Sequence, residues 1–126
     1  MSHAILIIDD TSSVRQQILD TLQGTDLFSA YFEAGNGLEG LKIMLNEKID
    51  IVLCDVEMPG MDGYELVNRI RNAEKGSATS IPVLAITASD FELNDEQAHA
   101  RGFDGYMLKP LDERVLQLKL AAIRKP

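Results

Sequence analysis

The chain predicts an α/β fold: a doubly wound, five-stranded parallel sheet of strand order 2-1-3-4-5, covered by helices on both faces as a three-layer sandwich. Three observations predict it. Apolar runs of strand length alternate with segments of helical periodicity from end to end, without an internal linker, low-complexity tract or solenoid repeat. Several of these runs are apolar at nearly every position, as strands buried on both faces are. Each apolar run also stops at a polar residue or a turn dipeptide. At 126 residues the expectation is one domain, 1–126, with a core over about 4–124 and right-handed crossovers.

Residues 4–8 are a pure apolar run and predict the first strand, which ends in Asp9-Asp10. Thr11, Ser12 and Ser13 offer N-cap oxygens for a helix over about 14–23. Its Val14, Ile18 and Leu22 fall four apart on one face, and Gly24 stops it. Residues 27–33 form a more polar strand, as an edge strand is, broken by Gly35-Asn36-Gly37. Leu38, Leu41 and Leu45 mark a second helix.

The third strand, 49–55, ends in Asp55 and meets a Pro59-Gly60 turn; Leu66, Val67 and Ile70 then set a helix over 64–74. After a polar loop at 75–80, Pro82 opens a fourth strand over 83–86, which Thr87-Ala88-Ser89 closes. A helix over about 90–101 ends at Gly102. Residues 105–108 make the fifth strand before Lys109-Pro110, and a last helix covers about 112–124. That helix carries two apolar stripes, Leu111, Val115, Leu118 and Ala122 on one side and Leu116, Leu120 and Ile123 on another. One stripe packs on the sheet. The other is either a widened core face or a contact surface for a second copy, an output domain or a kinase.

A composition of 45% hydrophobic and 25% charged residues is that of a globular domain, and the formal charge of -8 excludes a basic nucleic-acid surface and attraction to anionic membrane. Proteins and small ions are the expected partners. Cys54 is the single cysteine, so no internal disulfide forms, and it reads as core filler in a reducing compartment. Met-Ser-His leads straight into a strand with no signal-peptide pattern, and no apolar run reaches membrane-spanning length. The expected location is cytoplasmic.

Parallel strands bring all their C-terminal ends to one edge of the sheet. Asp9, Asp10, Asp55, Thr87 and Lys109 are the first polar residues at those ends, and neighbouring tips lie about 5 Å apart across the topological switch point. Singly, each has a plain reading: Asp55 as a turn-capping side chain, Thr87 as a hydroxyl bonded to backbone, Lys109-Pro110 as a solvated turn. Their convergence at a ligand-binding edge is what favours a site. His3, in the N-terminal tail, and His99, on the fourth helix, read as solvated, so no general base is apparent.

Asp9-Asp10, Asp55 within Asp-Val-Glu-Met-Pro-Gly-Met-Asp-Gly, Thr87-Ala88, Tyr106 and Lys109-Pro110 together resemble the receiver domain of bacterial two-component response regulators, over about 4–124. The resemblance implies the flavodoxin-like or CheY-like version of the doubly wound fold. It implies that Asp55 accepts a phosphoryl group from the phosphohistidine of a histidine kinase or a histidine phosphotransfer protein. Asp9, Asp10 and Asp55, with the backbone carbonyl of Glu57, are then the ligands of Mg²⁺ or Mn²⁺, hard cations that suit oxygen donors. Three carboxylates, one lysine and a dication sum to near neutrality, ready for a dianionic phosphoryl group.

Lys109 resembles the phosphate clamp, with a cis bond to Pro110. Thr87 and Tyr106 resemble the switch pair, and small Ala88 leaves room for the phosphoryl group. Glu57 and Ser89 are placed to tune the lifetime of the acyl phosphate, by repelling or by orienting water. Output is expected through strand five and helix five, at Tyr106, Leu116, Leu120 and Ile123. The implied protein is a signalling domain that takes up and slowly loses phosphate, not a turnover enzyme. The alternatives are a Mg²⁺-dependent small-molecule phosphotransferase or phosphatase with a covalent Asp55 intermediate, and a non-phosphorylated interaction domain of the same shape. With no output region after residue 126, a stand-alone receiver and one cut from a longer regulator or hybrid kinase stay equally open.

Overall fold

A computed structural model describes residues 3–72, 81–88 and 94–123. Strands and helices alternate as β1 (Ala4–Ile8), α1 (Ser12–Gln23), β2 (Ala30–Ala34), α2 (Gly37–Asn46), β3 (Ile51–Asp55), α3 (Gly63–Arg71), β4 (Val83–Thr87), α4 (Asp95–Arg101), β5 (Gly105–Leu108) and α5 (Glu113–Ile123). The five strands form one sheet of order β2-β1-β3-β4-β5, every pair parallel. This is the doubly wound fold that the apolar runs predict.

Side chains alternate between the two faces of a strand, and the core divides accordingly. Leu6, Ile8, Val52, Cys54, Val83 and Ala85 meet Leu66, Val67 and Ile70 of α3 and Ala98 of α4 on one face. Ile5, Ile7, Ile51, Leu53, Leu84, Ile86 and Met107 meet Ile18 and Leu22 of α1 and Leu116 and Leu120 of α5 on the other. The three inner strands, β1, β3 and β4, are buried at every position. Among the described residues no helix is long and apolar enough to cross a membrane.

Several boundaries differ from the sequence expectation. β2 occupies Ala30–Ala34 rather than 27–33, because the N–H groups of Ser29 and Ala30 both turn to the carbonyl of His3 and set Ala4 opposite Ala30. Phe28 instead drops into the core ahead of the strand. β3 starts at Ile51 rather than residue 49; Asp50 closes its end by accepting the Ala4 N–H at 2.7 Å. α1 begins at Ser12, and Thr11, at the N-cap position, makes no side-chain cap bond there. The expected loop at 75–80 and the helix portions at 73–74, 90–93 and 124 lie outside the described residues.

Two expected apolar faces are rearranged. Leu38 and Leu45 of α2 are exposed; the helix meets the sheet through Gly40, Leu41 and Met44, while Gly37 packs against Met61, and the four share one face at helical spacing. Gly40 is needed for that approach, since a Cβ there would come within 2.5 Å of Ile8 Cδ1. In α5 the core side is Leu116 and Leu120, both essentially inaccessible, joined by Leu111. The expected contact surface through Leu116 and Leu120 is therefore corrected: Leu111 precedes the helix and does not set its rotation, and the large exposed apolar residues of α5 are Val115 and Leu118. The Ile123 side chain lies outside the described set.

Candidate functional site

Register decides which side chains share the C-terminal edge. Asp55 stands opposite Ile86, and Ile86 opposite Met107, all on the α1/α5 side of the sheet. Lys109 lies two residues past Met107, and Asp9 two past Ile7, so the pleat delivers both to the same side. Lys109 Nζ sits 3.2 Å from Asp55 Oδ2 and 3.3 Å from Asp9 Oδ2. Oxygens of Asp9, Asp10 and Asp55 all lie within 4.8 Å of one another.

Local hydrogen bonds aim these acids. Asp9 Oδ1 accepts the Thr11 N–H at 2.8 Å, and Asp55 Oδ1 accepts the Glu57 N–H at 3.0 Å. Each carboxylate thus has one oxygen tied to its own loop and the other turned to the pocket. Asp9 and Asp55 are fully buried, while Asp10 is exposed. Behind Asp55 the start of α3 packs so closely that a Cβ on Gly63 would fall 2.7 Å from the Asp55 carbonyl oxygen. Asp62 caps that helix by accepting the Glu65 N–H at 2.8 Å.

The pocket is short of positive charge. Burial, then the neighbouring Asp9 charge, push the Asp55 carboxyl above its ordinary value, against the pull of the Glu57 N–H and Lys109. Burial pulls the Lys109 ammonium down, but Asp55 and Asp9 together outweigh it and hold the lysine above its usual range. Among the described residues, buried Asp9 Oδ2 receives no hydrogen bond and has only the ion pair to Lys109. A buried anionic oxygen without a donor, beside two more carboxylates, fits a hard divalent cation, whose ligands are such oxygens.

The remaining predicted residues are spread over the ends of β4 and β5 and beyond. Lys109 donates its N–H to the Thr87 carbonyl at 2.8 Å, and its bond to Pro110 is cis. Thr87 is buried at the end of β4, and the exposed Ala88 donates its N–H to Glu57 Oε1 at 3.0 Å. Tyr106, opposite Ala85, shares the α3/α4 side with Thr87. It is half-buried, with Lys119 Nζ 5.3 Å from its ring and bonded to its carbonyl. Tyr106 lines a groove with Pro110, Val115 and Lys119. Ser89 lies outside the described residues. His3 stands before β1, at the opposite edge of the sheet, and His99 is exposed on α4. The Cys54 thiol is buried and pushed up by burial and then by the Asp55 and Asp9 charges, so it is held neutral as core filler.

One contributor escaped the sequence reading. Arg15 of α1 donates to the Asp9 carbonyl and pairs with Glu33 Oε1 at 3.0 Å, binding α1 and the end of β2 to the backbone that carries Asp9. Its spacing from Asp9-Asp10, on the first turn of a helix pointing away from them, was the available signal.

Nearly the whole chain is similar to known proteins. Residues 5–121 match the family model described as the response regulator receiver domain. The heme response regulator HssR of Staphylococcus aureus (strain bovine RF122 / ET3-1) is 33% identical over 118 residues, 94% of this chain and 50% of that protein. The probable transcriptional regulator ycf27 of Cyanidium caldarium is 33% identical over 121 residues, 96% and 46% respectively. The chain spans about half the length of these curated relatives. Among solved structures, the Vibrio cholerae chemotaxis protein CheY4 superposes with a TM-score of 0.83 at 28% identity, covering 98% of this chain and 99% of that one. A response regulator from Chloroflexus aurantiacus J-10-fl gives 0.87 at 27% identity, covering 98% of each.

Proposed function

The chain belongs to the response regulator receiver domain family, and we propose that residues 1–126 form one receiver in which Asp55 accepts a phosphoryl group from a phosphohistidine. The donor is a histidine kinase or a histidine phosphotransfer protein. Asp55 attacks phosphorus through an oxygen of its carboxylate, the phosphorus–nitrogen bond to the imidazole breaks, and an acyl phosphate remains on Asp55. The single observation that carries this is the buried Asp9 Oδ2, beside Asp55, which among the described residues has no hydrogen-bond donor and only one lysine within reach.

Asp9, Asp10 and Asp55, with the Glu57 carbonyl, would hold Mg²⁺ (or Mn²⁺), which supplies charge neutralisation for the transferring group. Lys109 meets the phosphoryl oxygens as a point charge, having left its pairing with the two acids. Thr87 offers its hydroxyl at the tip of β4, Ala88 leaves the entrance open, and Tyr106 on the same side reports the change to the outer face of β5. The surface that reads it is the groove beside Tyr106 with Val115 of α5, where an output domain or a second copy docks. Slow loss of the phosphate, tuned by Glu57 and Ser89, and a cytoplasmic location belong to the same proposal.

A small-molecule phosphotransferase is not favoured, since the family match covers nearly the whole chain. Intact-protein mass after incubation with acetyl phosphate and Mg²⁺ tests the reading. One added phosphoryl group on the wild type, lost in Asp55→Asn and in chelator, is the expected result; an adduct that survives Asp55→Asn would refute it.

A further inference from the structure

Glu57 is held at both ends. Its N–H is given to Asp55 Oδ1 at 3.0 Å, which places its Cα beside the nucleophile, and its side chain crosses to the next strand, where Oε1 takes the Ala88 N–H at 3.0 Å. The register explains the reach: Val56 N–H bonds the Ile86 carbonyl, so Ala88 lies just past the residue facing Asp55, at the rim of the same pocket. An alanine has no side-chain acceptor with which to satisfy its own N–H. That donor is therefore open to whichever anion stands in front of it.

We infer that the Glu57 carboxylate is a built-in competitor of the phosphoryl group: it occupies the Ala88 N–H at the pocket mouth and has to release it when Asp55 is phosphorylated. This deepens the receiver reading and rests on it. A phosphoryl group on Asp55 brings nearly two negative charges and three acceptor oxygens beside an existing carboxylate. Like charges at that range repel, and the Ala88 N–H exchanges one anionic acceptor for another. The number of hydrogen bonds is conserved, so the swap favours whichever anion is held more firmly. Since Glu57 spans the ends of β3 and β4, its release also uncouples the two loops at the moment Asp55 changes charge.

The test compares wild type with Glu57→Ala, which removes the acceptor, and Glu57→Gln, which keeps a neutral one. Both retain the backbone carbonyl, and the side chain is exposed, so folding is undisturbed. The first readout is hydrogen exchange of the Ala88 amide by NMR in the metal-free, unphosphorylated protein. Protection is expected to fall in the order wild type, Gln, Ala. The second is the rate of phosphoryl uptake from acetyl phosphate with Mg²⁺, expected to rise in the same order, by about 3- to 10-fold in Glu57→Ala, the scale of one charge-assisted hydrogen bond at an exposed rim.

An Ala88 amide that exchanges equally fast in wild type and Glu57→Ala overturns the contact. Equal uptake by Gln and Ala variants overturns the competition and leaves Glu57 acting through charge alone. A wild type that takes up no phosphoryl group fails the receiver reading instead, and is distinguished by an amide ranking that holds without any transfer.

Discussion

Replacing Asp55 by Asn should make the metal-free protein more stable at neutral pH, although it removes half of an ion pair. At an effective dielectric of ~20, the Lys109–Asp55 separation of 3.2 Å corresponds to an attraction of about 5 kcal/mol. Asp9, within 4.8 Å of Asp55, repels it by about 3.5 kcal/mol on the same scale, and exposed Asp10 adds a smaller, solvent-screened share. The balance is a net attraction of about 1.5 kcal/mol before Asp10 is counted, less than the several kcal/mol that burying a charged carboxylate costs, so burial is the deciding effect. Asparagine keeps the shape and one acceptor oxygen for the Glu57 N–H, while its NH₂ faces Lys109, which stays paired with Asp9; with no charge left to bury, the expected gain is about 1–3 kcal/mol.

The pH dependence has a fixed sign. The Asp55 carboxyl is raised above 3.8 by burial and then by Asp9, so the folded state binds its proton more tightly than the unfolded chain. The wild-type penalty is complete above the folded value and gone below 3.8, and the Asn advantage should shrink as pH falls through that window. Lys109, raised in the folded state, contributes stability that is fully present below 10.5 and lost only as pH rises through its folded value, outside this range. Urea denaturation in chelator, with equal slopes for both proteins, measures the difference. Saturating Mg²⁺ should then close the gap, stabilising the wild type by ~2.7 kcal/mol at a hundredfold excess over its dissociation constant and the variant by far less. An Asp55→Asn protein less stable than wild type in chelator at neutral pH would show that the lysine pair outweighs burial, and would refute the frustrated-pocket account.

Leu120→Ala should cost about 2–5 kcal/mol and Leu118→Ala under ~0.5 kcal/mol in the same denaturation assay, because only the former opens a cavity; equal losses would contradict the assigned rotation of α5. Gly63→Ala, forced against the Asp55 backbone, should lower stability by about 1–3 kcal/mol and slow phosphoryl uptake; an unchanged uptake rate would show that α3 can retreat without moving Asp55. Arg15→Ala should weaken Mg²⁺ binding by about tenfold in calorimetric titration with the acids intact, and Arg15→Lys should not restore it, since one ammonium cannot span the Asp9 carbonyl and Glu33.

The sheet was legible because each inner strand is apolar throughout and stops where the chain turns polar, and a parallel sheet places those polar residues on one edge. Asp9, Asp10, Asp55 and Lys109 could be grouped before any coordinates. Less could be read where a contact depends on distant partners. The start of β2 is set by the His3 carbonyl, some twenty-seven residues earlier in the chain, and nothing within 27–33 encodes it. The leucines of α2 look like a core stripe, but Gly40 on the neighbouring face lets the helix approach Ile8 of the sheet there, with Leu38 and Leu45 left outside. Arg15 and the Glu57–Ala88 contact were invisible for a related reason: a long side chain can reach any of several neighbouring loops, and sequence spacing does not say which.

The two edges of the sheet show what separates a structural aspartate from a functional one. At the N-terminal edge Asp104 Oδ2 accepts the Val83 N–H at 2.8 Å and pairs with Arg71 Nη2 at 2.9 Å, while Arg71 Nε bonds the Gly102 carbonyl at 2.8 Å. Donors are supplied to that carboxylate oxygen from β4 and α3, and the result is a staple across the starts of β4 and β5. At the C-terminal edge Asp9 is more deeply buried yet has an oxygen with no hydrogen bond from the described residues, and it shares its lysine with Asp55. Burial ordinarily demands the more complete set of partners, so the deficit runs opposite to what folding alone would select. The apolar layers on both sheet faces hold the pocket in this unsatisfied state; in the receiver proposal a divalent cation would supply the positive charge it lacks and offset the charge of an incoming phosphoryl group. A site stabilised by its ligands rather than by its fold is one whose surroundings can change when they arrive.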